Sequence, residues 1–147
     1  MDYLQQYIDA YMERLGGELT ADNMSVLTGE QHALLSFMIV HDEVMDGGFI
    51  QLIQNGYGGY IFDNPFAKAM RLFGMKDFSK LLYKVKTFYD LHKEALEQER
   101  SDEEFMAMYE QYEVFDEWDD LYITDEEEWC DIMSEYVRNN EDSFILK

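Results

Sequence analysis

Residues 115–131 read FDEWDDLYITDEEEWCD: nine carboxylates, no Lys or Arg, and two Trp set among the acids. Carboxylates at this density can ligate a hard cation or present an array of negative charge to a basic surface. The run that ends at Asp131 lacks the glycine and the ligand spacing of a calcium-binding loop, so the array is the stronger reading. Acids three or four residues apart on a helix have Cβ atoms about 5–6 Å apart. Duplex DNA carries one charge per ~1.7 Å of axis, which basic proteins read with Lys and Arg. A helical carboxylate array therefore resembles one side of a duplex to such a protein, without any need to reproduce base edges. Asp116, Glu117, Asp119, Asp120, Glu126, Glu127, Glu128 and Asp131 are the expected partner-binding residues. The same acids also fit a solvated face. Those opening a helix are favoured by its dipole, and the basic residues Lys68, Arg71, Lys76, Lys80, Lys84, Lys86 and Lys93 could neutralise part of it.

Other reactive side chains give weaker patterns. His41-Asp42 is a dipeptide used by some metal phosphohydrolases, but only His32 and His92 remain, in no ligand-like spacing. No Glu-x-x-His pair is present for a di-iron bundle. Cys130 sits among acids, which raise a thiol pKa and do not activate it. The expectation is a non-enzymatic protein with no cofactor and no metal. An uncharacterised enzyme with a cleft near Glu43, Asp46, Gln51 and Asn55 is one alternative, and an immunity-type inhibitor of a basic toxin or nuclease is another.

The elements that must carry these acids follow from bulk composition and periodicity. The chain has 147 residues, 47% hydrophobic and 16% aromatic, which is enough for one packed core despite a net charge of −21. A field of that sign repels nucleic acid and anionic membrane and attracts a basic protein. No stretch approaches the ~18 apolar residues of a membrane span. One cysteine, and acids where a secretory leader carries bases, point to a cytoplasmic, bacterial-type protein.

Charge is segregated: residues 68–93 hold seven bases and two acids, whereas residues 94–147 hold twenty acids and three bases. Helical spacing and helix punctuation run throughout, with no alternating strands. Leu4, Ile8, Tyr11 and Leu15 form one stripe, stopped by Gly16-Gly17. Thr28 and Gln31 form a capping box for a buried helix over 29–46, ended by Gly47-Gly48, with a short helical piece over 49–54. Asn64-Pro65 opens a helix to about 73, and Asp77 one to about 97. Capping boxes at Ser101 and Thr124 predict two further helices, with residues 116–121 linking them. The expected fold is all-α, one compact domain over 1–147, six or seven helices around a buried central helix.

The segment HDEVMDGGFIQLIQNGYGGY (41–60) completes the picture. Glu43, Gly47, Gly48, Phe49, Gln51 and Asn55, with Gly58, are similar to the signature E-x-x-N-G-G-F-x-Q-x-x-x-N of a bacterial DNA-mimic protein family. VFDEWDDLY and EEEWCDIMSEYVRNN resemble that family's closing segment. Two departures are Asp46, where the family usually has Asn, and Trp118, where Leu is common. The resemblance implies a helical domain whose motif residues are structural. It also implies an acidic decoy, in the named member a homodimer, for a helix-turn-helix transcription factor. The expected partner is thus a basic protein such as a DNA-binding transcription factor, with no direct contact to nucleic acid or membrane.

Overall fold

A computed structural model describes residues 1–147. It is all-α: α1 (Asp2–Leu15), a 3₁₀ turn (Ala21–Val26), α2 (Gly29–Gln54), α3 (Gly58–Phe62), α4 (Phe66–Leu72), α5 (Lys76–Glu97), α6 (Asp102–Gln111), α7 (Val114–Asn139) and α8 (Glu141–Phe144). No helix is long and apolar enough to cross a membrane.

α2 is the central element, packed against α1, α3, α4, α5, α7 and α8. Its middle is apolar on nearly every side, and Leu34, Phe37, Val40, Phe49 and Leu52 are fully buried. Its start is fixed as the local sequence predicts: Gln31 N–H donates to Thr28 Oγ1 at 3.2 Å, and Thr28 N–H donates to Gln31 Oε1 at 2.9 Å. Ser101 and Glu104 make the same reciprocal pair at the start of α6. Aromatic rings dominate the core between α2, α5 and α7, where Phe78 stacks on Trp129 with centroids 4.7 Å apart.

Three expectations are revised. The third capping box does not form. Thr124 Oγ1 donates to Asp120 O at 2.8 Å, and α7 runs through it as one helix of 26 residues. The reason is packing. Phe115, Trp118, Tyr122, Trp129, Met133 and Val137 lie on one inward stripe, and only an unbroken helix buries all of them. Asn64 does not cap α4 either: the helix starts at Phe66 with Pro65 at its N-cap, and the Asn64 amide donates to Tyr60 O at 3.0 Å. The chain also adds two short helices, α3 and α8. α8 is held by the Tyr11 hydroxyl donating to Phe144 O at 2.5 Å.

Candidate functional site

Successive residues of a helix are rotated by about 100°, so the inward stripe of α7 dictates what faces away from it. Glu113, Asp116, Glu117, Asp120, Glu127, Glu128, Asp131 and Glu135 fall on the opposite side, and all are exposed. From the first to the last of these the axis runs about 33 Å, at about 1.5 Å per residue. The row divides into two blocks, with exposed Leu121, Ile123 and Thr124 between them. It is almost free of counter-charge. Arg138 approaches Glu135 at 3.9 Å, but no Lys or Arg comes within ion-pair distance of Asp116, Glu117, Asp120, Glu127, Glu128 or Asp131. The basic helix acts elsewhere: Lys86 pairs with Asp90 at 2.8 Å, and Lys86 and Lys93 approach Asp63.

The remaining two expected partner-binding residues turn inward. Asp119 is half-buried, and its Oδ1 accepts the Phe49 N–H at 2.9 Å. Burial pushes its carboxyl up to about 6, against the lowering effect of that bond. Glu126 is likewise half-buried, with Oε1 3.8 Å from His41 Nε2 and Oε2 3.7 Å from Cys130 Sγ. Counting from Phe115 would have found both, since positions 119 and 126 share the side of Tyr122 and Trp129. Expecting a linker over 116–121 and a new helix capped at Thr124 hid the register.

Asp119 belongs to a corner built on the motif residues. Gly48 breaks α2 with φ 82° and ψ 179°, a region open essentially to glycine, and a Cβ there would collide with the Asp119 carboxylate. The break frees the Phe49 N–H for Asp119 and the Gly47 carbonyl for the Tyr109 hydroxyl, 2.7 Å away. Gln51 Nε2 donates to Glu43 and Asp46 at 2.8 and 2.9 Å, and Asn55 Nδ2 donates to Glu43 at 2.9 Å. Gly58 abuts the Tyr89 ring so closely that a Cβ would overlap it. Glu43, Gln51 and Asn55 therefore brace the bend between the two halves of α2, while Tyr109 and Asp119 dock α6 and α7 onto it.

A family model described as "DMP19-like protein" matches residues 25–140. A protein of Neisseria meningitidis serogroup B, described as "DNA mimic protein DMP19", is 32% identical over 142 residues, covering 96% of this chain and 86% of its own length. The chain belongs to the DMP19-like protein family. The segment matched by the family model contains both the corner in α2 and the exposed acids of α7. Asp46, the departure from the expected signature, keeps an acceptor oxygen for Gln51, so the corner is intact in this member of the DMP19-like family.

Proposed function

We propose that the chain is a non-enzymatic acidic interaction protein whose outer α7 face occupies the nucleic-acid site of a basic DNA-binding protein. The observation that carries this reading is the unneutralised row on α7. Eight exposed acids over about 33 Å amount to roughly one charge per 4–5 Å of axis, close to the 3.4 Å per charge along one strand of a duplex. Membership of a family with a relative described as a DNA mimic supports it. Asp116, Glu117, Asp120, Glu127, Glu128 and Asp131 supply the charge, joined by Glu113 and Glu135. Leu121 and Ile123, 40% and 50% exposed, give apolar contact between the blocks. Asp119 and Glu126 contribute through the fold.

The test is capture from the native cell at low salt, with competition by duplex DNA. The expected partner is a basic DNA-binding protein that DNA displaces. A combined Asp116→Lys, Asp120→Lys and Glu127→Lys variant should lose that capture with an unchanged circular dichroism spectrum, since exposed substitutions rarely alter stability by more than about 0.5 kcal/mol each. Capture that DNA and salt leave untouched, or that survives the charge reversal, would reject the proposal. A basic nuclease as sole partner would reassign the same row to toxin neutralisation.

A further inference from the structure

Behind the acidic row, on the inward side of α7, three side chains of different chemistry converge. A ring nitrogen of His41, a carboxylate oxygen of Glu126 and Cys130 Sγ all lie within 4.8 Å of one another. The shortest separations are 3.8 Å from His41 Nε2 to Glu126 Oε1 and 3.7 Å from Cys130 Sγ to the other carboxylate oxygen, Oε2, each slightly longer than an edge of a zinc tetrahedron. Bond lengths of about 2.0–2.3 Å set those edges at about 3.3–3.6 Å. The chain supplies the cluster economically: Tyr122, Glu126 and Cys130 are four residues apart on one side of α7, opposite His41 of α2.

Two further observations point into the cluster. The Tyr122 hydroxyl is fully buried and has no hydrogen-bond partner. Tyr122 stands one helical turn before Glu126 and two before Cys130, on the same side of α7. A buried hydroxyl without a partner costs about 1–3 kcal/mol, so something is expected to satisfy it. Meanwhile His41 Nδ1 lies 3.1 Å from Asp42 Oδ1. Nδ1 can donate to this carboxylate, and Nε2 is the ring nitrogen on the side of Glu126. A carboxylate orienting the distal nitrogen of a histidine is the usual outer support of a metal ligand.

We propose that His41, Glu126 and Cys130 bind one transition-metal ion of the Zn²⁺ class, with a water in the fourth position that hydrogen-bonds to the Tyr122 hydroxyl. One nitrogen, one sulfur and one carboxylate oxygen suit Zn²⁺ and disfavour Ca²⁺ or Mg²⁺, which demand oxygen. Thiolate, carboxylate and neutral imidazole around a divalent ion sum to zero charge, the cheapest arrangement in a poorly solvated place. Binding releases the thiol proton to solvent. His41 and Glu126 keep 17% and 16% of their side-chain surface exposed, which leaves an entry path. The ion would join α7 to α2 directly behind the acidic row, and Asp42 would be a positioning residue.

The test uses the full chain and Co²⁺ as a spectroscopic probe. One Co²⁺ per chain should bind with a thiolate-to-cobalt charge-transfer band in the near ultraviolet, and one equivalent of Zn²⁺ should abolish it. His41→Gln and Cys130→Ser should each remove the band, and Asp42→Asn should weaken binding on the order of 10-fold. Far-ultraviolet circular dichroism checks that each variant folds. If Cys130→Ser does not, partly exposed His41 carries the test. Co²⁺ binding without the charge-transfer band means that surface carboxylates hold the ion, and overturns the proposal. So does a band that persists in His41→Gln.

Discussion

Asp119 illustrates how far one carboxylate can be diverted from the role its neighbours perform. Its Oδ1 satisfies the Phe49 N–H, the donor exposed where Gly48 restarts the helix, and burial raises its carboxyl from an ordinary 3.8 to about 6. Between about pH 4 and pH 6 the unfolded chain has released this proton while the folded chain retains it. The contribution of Asp119 to stability therefore falls as pH rises through that window and is constant above it. Asp119→Asn keeps an acceptor for Phe49 but removes the titration. Relative to the parent protein it should gain about 1–2 kcal/mol on going from about pH 4 to about pH 7, a figure reduced for partial exposure. Asp119→Ala leaves the Phe49 N–H unpaired and should cost about 1–3 kcal/mol. Urea denaturation of the two variants at both pH values checks the sign and the size.

α7 is continuous because its apolar stripe is continuous. Thr124-Asp-Glu-Glu127 satisfies the local pattern of a capping box, yet burying Trp118 and Tyr122 upstream together with Trp129 and Met133 downstream outweighs a cap worth about 1 kcal/mol. The consequence for function lies at the same scale. One continuous helix sets the carboxylates on both sides of Thr124 in a single register, whereas two helices joined by a linker would splay them. Thr124→Ala discriminates between the two arrangements: with the hydroxyl spent on Asp120 O, the variant should change stability by less than about 0.5 kcal/mol. Thr28→Ala and Ser101→Ala, at caps that do form, should each cost about 1 kcal/mol in the same thermal denaturation series.

Across the whole molecule, a net charge of −21 opposes compaction and favours a cationic partner, so salt acts on the two in opposite senses. Raising ionic strength from about 0.1 M to about 1 M shortens the screening length from about 10 Å to about 3 Å. The unfolding temperature of the isolated protein should rise over that range as self-repulsion is screened. Binding to a basic partner through the α7 face should weaken steeply over the same range, as phosphate-like contacts do. Calorimetry and a binding titration at matched salt concentrations measure both. The basic residues of α4 and α5 do not cancel the acidic row, because those that form ion pairs use Asp63 and Asp90.

What could be read directly from the sequence is what residues three or four apart decide among themselves. The helical class, the caps at Thr28 and Ser101, the glycine break at Gly48 and the alternation of acids with an apolar stripe in the last third all belong there. Tertiary contact decided the rest. Asp119 meets Phe49 across 70 positions of chain, and His41 of α2 meets Glu126 and Cys130 of α7. Those encounters depend on which stripe α2 and α7 bury against each other. That choice minimises exposed aromatic surface over the whole core, so it overrode the local signal at Thr124 and turned two of the eight expected acids inward.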